Sequence, residues 1–265
     1  MNALPEVRVA ALPGGALSYR EAGRGSTVLL LHGLNGSSKS WGPQFNTLGR
    51  RHRVIAWDAP GYGKSAIIDA SIDAYADAAA GLMDALAAEP GTVVGHSMGG
   101  VVAARLAHRR PDLVRRLVLS CTHWGLALPA ASPLEPRYVR RIEARRSLPT
   151  AEYGRTRAKN MLAPGAAPQV AATVAAIAEE VTVEGLEGAI RMEHSADNRP
   201  MLATLSIPIL LIDADRDPVL PPERADALAA FLPTARRVTL AGSGHAPYLE
   251  DVAGFNRAVE EFLEP

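Results

Sequence analysis

The chain has 265 residues, 48% of them hydrophobic, which is enough to bury one large α/β core with an excursion from it. Lys plus Arg (28) balance Asp plus Glu (28); with no net field to gather nucleic acid or an anionic membrane, small neutral or weakly polar ligands fit better. The single cysteine, Cys121, excludes an internal disulfide, reads as a packing residue and suits a reducing compartment, so the expected location is the cytoplasm.

The start, Met1-Asn2-Ala3-Leu4-Pro5-Glu6-Val7, lacks the basic residues and apolar stretch of a secretory signal. Nowhere does the chain hold the run of roughly eighteen apolar residues that a membrane helix needs. Val7 to Leu12 and Ala16 to Tyr19 flank Pro13-Gly14-Gly15, which predicts a hairpin of two short antiparallel strands. Continuous apolar runs follow at Thr27 to Leu31, Val54 to Trp57, Val93-Val94, Leu117 to Leu119 and Ile209 to Ile212, as expected of strands covered on both faces by helices. Between them Ile72, Tyr75, Ala79, Leu82, Met83 and Leu86 recur at helical spacing, as do Ala225, Leu228, Ala229 and Leu232. This alternation implies a mostly parallel sheet with crossover helices, an α/β fold.

The alternation stops over residues 125–200, where Ala, Arg and Glu dominate and no strand pattern occurs. This stretch reads as a helical cap inserted after the sixth strand, with 1–124 and 201–265 forming the core. An insertion at a strand's carboxyl end lies over the place where open α/β sheets bind ligands. Within it Arg137, Arg140, Arg141 and Arg145 share one helix face. That face reads first as solvated and relieved by Glu135 and Glu143; the other reading is an anchor for a substrate carboxylate.

The chemistry centres on Gly95-His96-Ser97-Met98-Gly99-Gly100, which follows an apolar run and opens a helix-like one. Such a strand, sharp turn and helix would lift Ser97 to an apex as a nucleophile. A serine hydroxyl is a weak nucleophile at neutral pH, so it needs a base, an orienting acid and oxyanion donors. Of seven histidines, only His245 lies after the last strand run, where its imidazole can return to the serine. His52, His108 and His194 read as surface residues, and His32 as a structural histidine bonded to nearby backbone. Ile212-Asp213-Ala214-Asp215-Arg216-Asp217-Pro218 offers three aspartates; Asp217 lies past the strand, and Asp215 is the runner-up with a role in holding turn amides. The oxyanion donors are expected at the amides of Met98, after the nucleophile, and Leu34, in the turn after a buried strand.

Two local matches carry less. Gly63-Lys64-Ser65 resembles the end of a phosphate-binding loop, but Asp58 stands where the motif needs glycine. Asn35-Gly36-Ser37 matches a glycosylation sequon, yet it falls beside the expected serine, where a glycan would block access. No paired cysteines or His-x-x-x-His spacing suggest a metal.

With the serine, acid and histidine in that order, the chain resembles the α/β-hydrolase superfamily, in particular small serine esterases and enol-lactonases with a helical cap. Leu31-His32-Gly33 is similar to the family's oxyanion loop, Asp58 to Ser65 to its D-x-x-G-x-G-x-S turn, and Gly95 to Gly99 to its nucleophile elbow. The resemblance implies a cofactor-free site under the cap and an acyl-enzyme that water hydrolyses. Ser97 stands where dehalogenases and epoxide hydrolases carry aspartate. Ala246 stands where carbon–carbon hydrolases of ring degradation carry tryptophan, and Met98 where proline iminopeptidases do.

The expectation is a serine hydrolase of a small ester or lactone, with Ser97, Asp217 and His245 catalytic and Leu34 and Met98 holding the oxyanion. The pocket is expected to be mostly apolar, with Trp124, Tyr138 and Met161 lining it. A carbon–carbon hydrolase, or a ligand sensor or lyase on the same fold, is the alternative.

Overall fold

The computed structural model describes residues 3–264. Its strands are β1 (Val7–Ala10), β2 (Leu17–Ala22), β3 (Thr27–Leu31), β4 (Arg53–Trp57), β5 (Gly91–His96), β6 (Val114–Ser120), β7 (Ile209–Ala214) and β8 (Arg236–Leu240). They form one sheet in the order β1-β2-β4-β3-β5-β6-β7-β8. From β4 to β8 every neighbouring pair is parallel, while β2 pairs antiparallel with both β1 and β4. The expected opening hairpin is present, closed by the Gly15 amide donating to the Leu12 carbonyl at 3.1 Å.

The apolar runs have no alternation because both faces of the sheet are covered. Leu29, Leu31, Ile55, Trp57, Val93, Leu117, Leu119 and Leu211 turn to one face. Their neighbours Val28, Leu30, Val54, Ala56, Val94, Val118, Leu210 and Ile212 turn to the other. Successive side chains of a strand point to opposite faces, so each run feeds two cores at once. Truncating one such residue, for example Leu30→Ala, would cost about 2–5 kcal/mol.

The helices are α1 (Gly42–Leu48), α2 (Ile72–Ala85), α3 (Met98–Arg109), α4 (Pro136–Ser147), α5 (Thr150–Met161), α6 (Pro168–Ala178), α7 (Val183–Ser195), α8 (Arg199–Leu202), α9 (Pro222–Phe231), α10 (Pro247–Glu250) and α11 (Val252–Leu263). α2 and α3 pack on the first face, α1 and α11 on the second. Ser71 caps α2 by accepting from the Ala74 amide, leaving the apolar face of that helix toward the core. Among the described residues, no helix is long and apolar enough to cross a membrane.

Helices α4 to α7 all lie between β6, the sixth strand, and β7. The two ends of this excursion are stitched together: the Leu126 and Ala127 amides donate to the Glu193 and Ala196 carbonyls at 3.0 and 2.9 Å, and the Asn198 amide to the Trp124 carbonyl at 2.9 Å. Buried Arg105 of α3 then holds the returning end through the Asn198 side chain (2.9 Å) and the Asp197 carbonyl (3.0 Å), and is itself paired with Asp73 of α2 (2.7 Å). The return to the sheet is thereby fixed at a definite place over the carboxyl ends of the strands.

His194 departs from the surface position expected of it. It is buried, with Nε2 donating to the Pro129 carbonyl at 3.1 Å and 2.9 Å from Ser132 Oγ. The segment Leu128–Ser132 folds back over α7 and covers it, a tertiary contact with no local signature.

Candidate functional site

The turn from β5 into α3 holds Ser97 at φ 52°, ψ −120°, a left-handed backbone that a serine adopts only when its surroundings impose it. The Ser97 amide donates to the Ser120 carbonyl at 2.9 Å, and its carbonyl accepts from Thr122 Oγ1 at 2.6 Å. Both anchors come from β6 and its continuation, so the neighbouring strand clamps the turn. Glycines make the approach possible. A Cβ on Gly99 would lie 2.1 Å from the Leu31 carbonyl oxygen, and one on Gly95 would lie 2.4 Å from that of Gly99.

Ser97 Oγ lies 3.1 Å from His245 Nε2, and His245 Nδ1 lies 2.7 Å from Asp217 Oδ2. Ser97 follows β5, Asp217 follows β7 and His245 follows β8, so the loops at the ends of parallel strands in one sheet bring Ser97 into line with His245, 148 positions away in the chain, and with Asp217 behind it. Burial raises the Asp217 carboxyl, but the His245 imidazole and the Val219 and Leu220 amides outweigh it and hold the group below its ordinary value. Asp215 is exposed and accepts from the Gly242 amide at 2.6 Å, steadying the loop that leads to His245.

The histidine loop is held amide by amide. His245 N–H donates to the Met161 carbonyl at 2.7 Å, and the Gly244 and Ala246 amides donate to Glu250 Oε1 at 3.0 and 3.2 Å. Glu250 Oε2 also accepts from Ala163 N–H at 2.8 Å, tying the end of α5 to the same loop. From beneath, His96 Nε2 donates to the His245 carbonyl at 2.6 Å. Burial, with the neighbouring His245, lowers His96 to about 3, so it stays neutral in this role. Glu250 and His96 have no sequence signal beyond their proximity to the motifs.

His32 bonds its own neighbourhood: Nδ1 donates to the Gly33 carbonyl at 2.8 Å and Nε2 accepts from Ala59 N–H at 3.0 Å. This shapes the turn that carries Leu34. Among the described residues, neither the Leu34 amide nor the Met98 amide has a hydrogen-bond acceptor, so both donors are unspent. Asn35 is buried and its Oδ1 accepts from Tyr153 OH at 2.6 Å. Ser65 Oγ donates to the Asp58 carbonyl at 2.6 Å, giving Gly63-Lys64-Ser65 a structural use in its turn.

A cleft is lined by Ser97, His245, Leu34, Tyr138 and Met161. Trp124 does not line it; its ring packs on Phe231 with centroids 5.9 Å apart and against the core on that face of the sheet. The expected apolar lining is also corrected. Arg137 and Arg141 of α4, Arg157 of α5 and Arg224 of α9 all face the cleft, as do Glu193 and His123. Burial pushes Glu193 up to about 7 and, together with nearby arginines, His123 down to about 3. Of the helical face read from the arginine spacing, Arg140 is exposed, whereas Arg141 and the half-exposed Arg137, which pairs with Glu135 at 2.7 Å, reach the cleft. Cys121, buried and at φ 44°, lies in the wall beside them.

The family described as the alpha/beta hydrolase fold matches residues 26–252. A pimeloyl-[acyl-carrier protein] methyl ester esterase of Neisseria meningitidis is 28% identical over 246 residues, covering 89% of this chain and 93% of that protein. Among solved structures, the enol-lactonase of Burkholderia xenovorans superposes with a TM-score of 0.85 at 25% identity, covering 97% of this chain and 99% of that one. A thermophilic esterase of Thermogutta terrifontis, solved with malate bound, superposes with a TM-score of 0.84 at 28% identity, covering 97% and 98%. With the sheet order, the excursion after β6 and the serine turn in hand, the chain belongs to the alpha/beta hydrolase fold family.

Proposed function

We propose that the protein is a serine hydrolase that cleaves a small carboxylic ester or lactone through an acyl-enzyme on Ser97. The observation that carries this reading is the line of hydrogen bonds from Ser97 Oγ to His245 Nε2, 3.1 Å, and from His245 Nδ1 to Asp217, 2.7 Å. It ends at a cleft beside two uncommitted amides. The esterase and enol-lactonase relatives support the choice of bond.

As Ser97 Oγ bonds the carbonyl carbon, its proton passes to His245 Nε2 and the carbonyl electron pair moves onto oxygen. The Leu34 and Met98 amides donate to that oxyanion; one such donor is worth about 10²–10³-fold in rate. Collapse expels the alcohol, which takes the proton from His245. Water then repeats the sequence on the acyl-enzyme and releases the acid. Asp217 keeps the proton of neutral His245 on Nδ1 and stabilises the imidazolium that forms.

Residues 125–200 serve as the cap over the cleft, with 1–124 and 201–265 as the catalytic core, and Tyr138 and Met161 as contacts for the substrate. The single cysteine keeps the cytoplasm as the proposed location. A time course with p-nitrophenyl acetate, butyrate and octanoate, wild type against Ser97→Ala, tests the reading. Serine-dependent turnover supports it, and the chain-length profile sizes the cleft. No turnover by folded wild type, or equal turnover by the variant, overturns it.

A further inference from the structure

The cleft above Ser97 carries more positive charge than its own residues neutralise. Arg157 is 92% buried from solvent, since only 8% of its surface is exposed, and its Nε has no hydrogen-bond partner. Among the described residues, no carboxylate forms a salt bridge with Arg157 or with Arg141 beside it. Four guanidinium groups reach the cavity, Arg137 and Arg224 paired with Glu135 outside its lining and Arg141 and Arg157 not, while among the described residues Glu193 is the only acidic residue in that lining. Burial and the charge of Arg141 lower Arg157 to about 10, which still leaves it protonated at neutral pH. Glu193, raised to about 7, supplies at most a partial counter-charge.

The placement of Arg157 is specific. Tyr153, Arg157 and Met161 stand at i, i+4 and i+8 of α5, on one helix face. Tyr153 OH donates to Asn35 in the loop that carries Leu34, and the Met161 carbonyl accepts from His245 N–H. Helix α5 therefore spans from the oxyanion loop to the histidine loop, and Arg157 lies between those two attachments. A buried cation without a counter-charge is costly unless a ligand supplies one, and the planar guanidinium fork matches the two oxygens of a carboxylate.

We infer that the substrate is an anion: a small ester or lactone carrying a second, free carboxylate, which Arg157 and Arg141 receive while Ser97 attacks the ester carbonyl. The bond to be cleaved rests on the serine-hydrolase reading above; the anion site does not.

Two matched pairs of esters test it by kcat/KM. One places the carboxylate in the acyl part, mono-p-nitrophenyl glutarate against methyl p-nitrophenyl glutarate. The other places it in the alcohol part, 4-acetoxybenzoate against its methyl ester. The charged member of at least one pair is expected to be favoured by tenfold or more, as a charge-assisted bidentate contact would give. Arg157→Gln and Arg141→Gln should each bring that preference to within threefold, and Arg157→Lys should restore part of it. Equal or inverse preference in both pairs overturns the inference. So do variants that slow both members of a pair equally, which would mark a structural role.

A binding arm separates this from the choice of bond. Ser97→Ala, which cannot turn over, is titrated with glutarate by calorimetry, alone and with Arg157→Gln added. Saturable binding lost with Arg157 supports the anion site even if no ester is cleaved; no binding overturns it. Inorganic phosphate binding more tightly than glutarate would overturn the assignment to a carboxylate.

Discussion

The two walls of the cleft differ in which of their groups the fold holds in place. On the sheet side, Ser97, His245 and Asp217 are each held by partners within the fold. The Ser97 backbone is clamped by Ser120 and Thr122, three consecutive amides of the histidine loop are bonded, and both Asp217 oxygens are engaged. On the cap side, Arg157 Nε and Glu193 Oε2 are buried without partners. A wall whose serine turn, histidine loop and aspartate are each tied down by the fold is preorganised for fixed geometry. A wall with unsatisfied buried charge is organised for something that arrives. In the proposed reading the sheet loops carry the chemistry, and the helices of residues 125–200 carry the choice of substrate.

Mutations on the sheet side should hit turnover hardest. Ser97→Ala should reduce kcat/KM by about 10⁵–10⁶-fold with its melting temperature unchanged within a few degrees. Asp217→Asn should cost about 10³–10⁴-fold, because the asparagine amide favours the wrong imidazole tautomer; a pH–rate profile and calorimetric melting distinguish this from misfolding. A preserved rate in either variant would place the reaction elsewhere in the cleft.

The clamped serine turn should also be the wall that tolerates least in stability. Gly99→Ala drives a Cβ against the Leu31 carbonyl backbone and should cost about 3 kcal/mol or more in urea unfolding. On the cap side, Glu193 faces Arg137, Arg141, Arg224 and His123. Its raised value, about 7 against an ordinary 4.5, means that the native state holds a proton which the unfolded chain releases. Its contribution to stability is complete below about 4.5 and is lost as pH rises through 7. Glu193→Gln should therefore gain on wild type between pH 5 and 8, by roughly 1–3 kcal/mol. His96 and His123, both lowered to about 3, act in the opposite sense: their contribution is complete above 6.5 and is lost as pH falls toward 3. A wild-type and variant difference that stays flat from pH 5 to 8 would remove Glu193 from this role. Smallest of all, Asp215→Ala should cost about 1 kcal/mol through the lost Gly242 contact and leave kcat/KM within twofold. An Asp215 effect as large as that of Asp217 would exchange their roles.

Much of the sheet side is legible in the sequence because its signals are local. Five apolar runs give five of the six parallel strands, Pro13-Gly14-Gly15 gives the hairpin, and glycines at 95 and 99 mark a turn where backbones nearly touch. Asp217 and Asp215 can be told apart by their distance past β7, and the structure gives only Asp217 to His245. The cap side is less legible. The spacing of Arg137 and Arg141 fixes their common face but not whether water or a cleft lies opposite, since that depends on how α4 packs. Arg157, Glu193 and Arg224 come from three further helices, and no local pattern predicts their convergence. Trp124 sits at the right place in the chain for a pocket residue, yet its ring packs on Phe231 and the core instead.

The most direct test of Ser97 as the acyl acceptor is acid quench within one turnover of p-nitrophenyl acetate, followed by intact-mass and peptide mass spectrometry. A single acetyl adduct is expected on the peptide containing Ser97, absent from Ser97→Ala. Steady turnover with no adduct on that peptide in pre-steady-state samples, or an adduct that persists in the variant, would contradict it.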